Sequence, residues 1–238
     1  MSNASDPFFE PYDRDEIAYG SVPSSGLQAY LDQVPGLAGA RALDLGAGAG
    51  RDTLALARAG YDVTSVDLSE RGLQRVAERA EQAGLGTQIG TRVCDVREFE
   101  FEPQHYDAIV ATTVLDHIPA EDAEKVWKRI VSALSPGGFL FIEVHTTEDP
   151  GSNQMPGLES DAPVSETAGQ VINYFAPQRL VRFALQSNLR VLRYEERLEW
   201  DYTHGAEHLH GKAILLAVHD GHYPEWYGQP AAFPRREA

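Results

Sequence analysis

The chain has 238 residues and a formal charge of −16. That length suits one large domain with a well-filled core. The acidity argues against a nucleic-acid substrate and an anionic membrane surface, which both call for a basic face. The single cysteine, Cys94, excludes an intramolecular disulfide framework. Apolar runs are strand-sized and no leader or membrane span is visible, so the expectation is a soluble cytoplasmic protein.

In chain order, residues 1–23 are polar and aromatic and predict an irregular arm. Ser24 or Ser25 suits the cap of a helix through Val34, which Pro35 and Gly36 end. Ala42–Asp67 then reads as strand, glycine turn, helix, strand and acid. Ser69 caps a helix through Ala83, and Leu73, Val76, Ala77 and Ala80 form its apolar stripe. Ile89, Thr91 and Val93 alternate as a third strand, and Tyr106–Val110 is the fourth. A helix carrying Val126, Trp127, Ile130, Val131 and Leu134 follows. Ser135–Gly138 breaks it and leads into strand five, Phe139–Val144. Residues 145–176 are long for a connection and rich in Gly, Pro and Ser. They leave strand five on the ligand side, which predicts a lid with Val171, Ile172, Tyr174 and Phe175 as its packed end. Pro177 opens a last helix with Leu180, Phe183 and Ala184 inward. Leu192, Tyr194, Leu198 and Trp200 alternate as strand six, and Lys212–His219 is strand seven. The short join between the last two predicts an antiparallel hairpin. The fold expected is a single-domain, Rossmann-like α/β sheet of seven strands, doubly wound. The domain spans 24–219, with an arm over 1–23 and a polar tail over 220–238.

Ala42–Asp67 carries the strongest functional signal. Glycines admit φ > 0 and let a ligand approach closely, and the helix N-terminus behind them presents free N–H groups. An acid at the tip of the second strand suits a ribose diol. In a dinucleotide fingerprint starting at Gly46 and Gly48 the third glycine falls at 51, yet residue 51 is Arg. A nicotinamide dehydrogenase is therefore disfavoured. The pattern is instead Asp44, then Gly46, Gly48 and Gly50, then Arg51, with Asp67 closing the unit. An acid two residues ahead of the first glycine is the arrangement of S-adenosylmethionine sites. Asp44 and Arg51 suit the ammonium and carboxylate of its amino-acid end.

This stretch resembles motif I of class I S-adenosylmethionine-dependent methyltransferases, over about residues 19–219. The resemblance is closest to small bacterial enzymes of the tellurite-resistance type. It extends to Tyr19, Gly20, Pro23 and Ser24 ahead of the motif and to Thr203–Gly211 late in the chain. It implies that Gly46, Gly48 and Gly50 shape the cofactor pocket and that Tyr19 belongs to a cover over it. It further implies that Asp67 takes the ribose hydroxyls, Leu68 packs on the adenine, and Asp95 and Val96 flank the adenine edge. Thr112 approaches the methionine end by its backbone. Asp116 and His117 sit where groups facing the methyl acceptor sit, either as a base for that acceptor. For Asp116 the alternative is a helix N-cap.

Topology adds an inference about histidines. Strand six, parallel to its neighbours, ends at the ligand edge, so the hairpin turn lies there too. His117, His145, His204, His208 and His210 then converge on one rim, while His105, His219 and His222 fall at the opposite end or in the tail. Imidazoles on this rim suit a substrate site, with His117, His145, His204 and His210 as catalytic candidates alongside Asp116. A metal site and backbone-satisfied turn histidines are the competing readings, and no metal is assigned. The expected activity is methyl transfer from S-adenosylmethionine to a small-molecule acceptor, with a homodimer possible. The alternative is a cofactor-binding or histidine-metal-binding sensor without methyl transfer.

Overall fold

The computed structural model describes residues 6, 9–14, 19–34, 36, 38–154, 171–202 and 207–224. Seven strands form one sheet: β1 (Arg41–Leu45), β2 (Asp62–Asp67), β3 (Ile89–Val93), β4 (Tyr106–Thr112), β5 (Leu134–His145), β6 (Leu189–Asp201) and β7 (His208–His219). Their order is β3-β2-β1-β4-β5-β7-β6. The first five are parallel, and β7 runs antiparallel to both neighbours, β5 and β6. The carboxyl ends of β1–β6 and the start of β7 therefore meet at one edge, as the sequence predicts.

The two-residue period of a strand assigns the core. Leu43, Leu45, Ile109, Ala111, Leu140, Ile142, Leu215 and Ala217 face one layer, completed by α5 (Ala120–Ala133) and α6 (Arg179–Gln186). Ala42, Ala108, Val110, Phe139, Phe141, Ile214 and Leu216 face the other, with α2 (Ser25–Leu31) and α3 (Arg51–Arg58). In α5 the buried Ala123, Val126, Trp127 and Ile130 recur at helical spacing, which fixes the face it turns to the sheet. The Trp127 indole N–H donates to Ser187 Oγ at 2.9 Å, so its one polar atom is satisfied. α4 (Glu70–Gln82) packs beside β2 and β3, and its cap is the predicted one: Ser69 Oγ accepts from Gly72 N.

Several boundaries differ from the sequence reading. The arm is not wholly irregular: Phe9–Asp13 forms a short helix, α1, with Tyr12 buried. α2 stops at Leu31, and Ser24 occupies its N-cap without a side-chain capping bond. β5 begins at Leu134, so the Pro-Gly-Gly turn lies inside the strand. The register against β4 slips there, from Tyr106↔Leu134 to Ala108↔Phe139. β7 starts four residues early, at His208. Leu198 and Trp200 are more than half exposed, and β3 is open along most of its length, because both β6 and β3 are edge strands. Of the predicted lid, 155–170 lie outside the described residues; Phe175 at its far end is fully buried and bridges Thr146, while Ile172 and Tyr174 are only half-buried. His204, most of the tail (225–238) and parts of the arm also lie outside them. Among the described residues no helix is long and apolar enough to cross a membrane.

Candidate active site

A cavity of about 670 Å³ opens at the carboxyl edge of the sheet. Its first half is built by the glycine turn. Gly46 and Gly48 have φ of +68° and +51°, and their N–H groups are anchored to Val66 O and to Asp67 Oδ2 at 2.8 Å each. A Cβ on Gly46 would overlap Val114, and one on Gly48 would lie 2.6 Å from Tyr12 Oη, so both positions require glycine. Gly50 differs. It is the left-handed N-cap of α3, its missing side chain faces Val76 of α4, and it does not line the cavity. Its part is helix packing, which corrects its assignment to the cofactor pocket.

The other sequence-selected cofactor residues, Tyr19, Asp44, Arg51, Asp67, Leu68, Asp95, Val96 and Thr112, all line this cavity. Tyr19 holds φ +60° and meets Tyr12 edge-to-face at 6.1 Å, so part of the arm does fold over this end. Asp67 accepts from Gly48 N and from Ser69 N at 2.7 Å; burial raises its pKa, against those bonds. Asp95 is held by Arg97 through both carboxylate oxygens, and also accepts from Arg97 N. Burial opposes its charge, but Arg97 outweighs burial and lowers its pKa.

The acids near β1 form a tight group. Asp44 is almost wholly buried and accepts from Thr53 Oγ1 at 2.5 Å. Burial pushes its carboxyl up to about 8, and the neighbouring charge of Asp52 adds to this. Asp52 takes Thr112 Oγ1 and Arg51 on one oxygen, at 2.9 and 3.2 Å; its other oxygen is buried with no hydrogen-bond partner among the described residues. Burial works against the Arg51 charge, but Asp52 and Glu143 outweigh it. The buried Glu143 and the half-buried Lys212 pair at 2.8 Å beside them; burial raises the Glu143 pKa, and the Lys212 ammonium more than reverses this.

The second half holds the histidines. His145 and His117 lie 6.1 Å apart, and His145 and His210 4.6 Å apart, between ring centroids. All three line the cavity. His208 packs on His210 at 4.6 Å. Four of the five rim histidines thus converge, and His105 and His219 lie at the opposite edge, near Arg41 and Leu134. Asp116 is not at the cavity wall. It is fully buried behind His117 and His145, accepting their Nδ1 atoms at 3.2 and 2.6 Å and His145 N at 2.8 Å. Burial raises its pKa, but the two imidazoles outweigh that and pull it far below the carboxylate range. A carboxylate so placed neither meets an acceptor nor takes up its proton, which corrects the reading of Asp116 as a base. Nor does it cap α5, whose N-cap is Pro119. It accepts only, so each ring carries its proton on Nδ1 and offers Nε2 on the far side.

Thr113 turns the chain into this loop with φ +55°, a strained value for a β-branched residue. The strain is held by Thr113 N donating to Glu143 O at 2.8 Å. Asp149 holds His210 Nδ1 at 2.9 Å and Gly211 N at 3.0 Å on one oxygen. Sequence reasoning singled out none of Tyr12, Asp52, Glu143, Asp149, Asp201 or Lys212. Glu143 had a signal: a charge inside the apolar run Phe139–Val144 demands a buried partner.

The strand order and the cavity at the carboxyl edge have the architecture of the class I methyltransferase fold. Residues 42–138 match the methyltransferase domain family. The chain is 32% identical over 116 residues to a ubiquinone biosynthesis O-methyltransferase of Marinobacter nauticus, covering 48% of this chain and 47% of that one. It is 37% identical over 107 residues to the enzyme of the same name from Xanthomonas euvesicatoria, covering 44% and 43%. The match thus spans under half the length of these relatives. Among solved structures, TehB from Haemophilus influenzae superposes with a TM-score of 0.66 at 22% identity, covering 86% of this chain and 65% of that one. A 1,6-didemethyltoxoflavin-N1-methyltransferase of Burkholderia thailandensis, with S-adenosylhomocysteine bound, gives 0.57 at 22%, covering 82% and 78%. At that identity the likenesses establish the fold.

Proposed function

We propose that the chain transfers a methyl group from S-adenosylmethionine to a small-molecule acceptor whose oxygen or sulfur gives up a proton. The observation that carries this reading is the Asp116 carboxylate, which holds two imidazoles by Nδ1 while both line the same cavity as the glycine turn. The cofactor fits the first half by its donor set. Its ammonium would find the unpartnered, buried oxygen of Asp52 together with Asp44, and its carboxylate would find Arg51. Asp67 would take the ribose hydroxyls, and Leu68 and Val96 the adenine faces. When bound, the cofactor supplies an electrophilic methyl on a sulfonium. The residues at the second half then align the acceptor, since an in-line displacement depends on orientation. Nε2 of His117 or His145 accepts the acceptor proton, and Asp116 stabilises the imidazolium that results. The relatives named O-methyltransferases support an acceptor that carries a hydroxyl. The charge of −16 and the single cysteine support a soluble, cytoplasmic setting.

Calorimetric titration with S-adenosylhomocysteine tests the cofactor half. Asp67→Ala should weaken binding about tenfold or more through lost ribose bonds; an unchanged affinity removes the assignment. His117→Ala should lower turnover roughly a hundredfold, the scale of a lost general base, with cofactor affinity nearly unchanged. Normal turnover in both His117→Ala and His145→Ala would remove the base.

A further inference from the structure

We infer that the start of β7 and the end of β6 form a binding site for one divalent transition-metal ion, made by His208, His210 and Asp201 with Asp149 behind it. His208 and His210 alternate on β7 and so share one face of the sheet, and Asp201 is the direct cross-strand partner of His208. The ligand atoms of the three lie within 4.8 Å of one another. His208 Nε2 and His210 Nε2 are hydrogen-bonded to each other at 3.0 Å, a bond an ion would replace by displacing its proton, and Asp201 Oδ2 lies 3.8 Å from His210 Nε2. Two nitrogens bound at about 2.1 Å to one ion and about 90° apart are separated by that same distance, so the imidazole pair is already set as adjacent ligands.

The surroundings distinguish this triad from a chance meeting of polar groups. A metal-binding histidine commonly donates its other ring N–H to a carboxylate, which fixes the tautomer and orients the ligating nitrogen. His210 does this through Nδ1, to Asp149 at 2.9 Å. Asp149 is buried and itself fixed, with one oxygen on Gly151 N at 2.6 Å and the other on Gly211 N. Those bonds occupy Asp149, so the neighbouring grouping of His145, Asp149 and His210 is the weaker candidate. Gly211 is itself part of the device, since a Cβ there would overlap the backbone at Glu148 and Asp149. Two imidazoles and one carboxylate suit iron, zinc or cobalt, and leave coordination positions open. His210 and Asp201 line the cavity, so an ion here would face the acceptor end and take an oxygen or sulfur atom of the acceptor.

The test is titration of the tag-free, chelator-treated full chain with Co2+, followed by its visible absorption, and with Zn2+ in calorimetry. One ion per chain at micromolar affinity is expected. His208→Ala and Asp201→Asn should each weaken it at least tenfold. Asp149→Asn should weaken it about 10- to 100-fold, as expected for a group that aims a ligand. His219→Ala, at the opposite edge, should change nothing. Millimolar binding, or binding unmoved by the three site variants, overturns the site. If the variants do not fold, the unaltered chain decides: substoichiometric Mn2+ should broaden the imidazole proton signals of His208 and His210 ahead of those of His117 and His219, and uniform broadening overturns the proposal. A parallel titration with S-adenosylhomocysteine separates the two readings. Cofactor binding without metal binding removes this site alone, and metal binding without cofactor binding removes the cofactor assignment alone.

Discussion

Asp44 and Asp116 are both fully buried at the carboxyl edge of adjacent strands, yet their acidities move in opposite directions. Asp44 has a threonine hydroxyl as partner and another acid beside it, and burial prevails, raising its pKa. Asp116 faces two imidazoles and a backbone N–H, and these prevail over the same burial. Depth sets the desolvation penalty, and the neighbours decide whether a charge survives it. The cofactor end is thus left short of positive charge, which suits a cationic ligand, while the histidine end is internally balanced.

The largest expected effect breaks the balanced side. Asp116→Ala leaves two imidazoles and a backbone donor without their acceptor, and should cost about 3–5 kcal/mol in urea unfolding. Asp116→Asn should fold better but lose the tautomer control, so turnover falls while S-adenosylhomocysteine affinity holds. The sign in pH follows from the lowered pKa: the Asp116 contribution is present above the ordinary carboxylate range and is lost as pH falls below it. Next is Gly46→Ala on the cofactor side, where the added methyl meets Val114 at a positive φ. A loss of about 1–3 kcal/mol in thermal unfolding is expected, with cofactor affinity reduced. The smallest effect sharpens the comparison. In the folded chain Asp44 keeps its proton to about pH 8, whereas the unfolded carboxyl releases it near its ordinary value of 3.8. The folded state binds more protons across that interval, so ligand-free stability should fall as pH rises from about 4 to 8. Asp44→Asn should flatten that slope by about 1 kcal/mol per pH unit, the worth of one proton. A slope identical in both proteins would show that Asp44 is ionised throughout.

The sequence exposed the glycine-turn half of the cavity because that half is local. Glycine spacing, the Ser69 cap and the acid at the end of β2 all fall within one βαβ unit, and the period of apolar residues marked the strands. The direction of β6 and β7 followed from the short join, and with it the rim of histidines. What stayed hidden depends on distant packing. Nothing around Leu115–Ile118 signals that Asp116 lies behind the histidines, because its partner His145 is 29 residues away on another strand. Asp149 meets His210 across 61 residues from a loop with no periodicity. Gly50 reads like its two neighbours in the triplet, and only the position of α4 shows that it faces away from the cavity. Alternation in β6 gave the period of Leu198 and Trp200 but not the absence of a covering layer.

The place of β7 has a consequence for how the molecule is made. Among the described residues it is the last strand in sequence but lies inside the sheet, and β6 pairs with β7 alone. Strands β1–β5 can pair in parallel as the chain leaves the ribosome, and the glycine turn with them. β6 waits without a partner until β7 follows it and inserts. The glycine-turn half of the cavity therefore has the means to assemble early, while the histidine rim is completed last; on the proposed function, a nascent chain would gain a place for the methyl donor before it has one for the acceptor.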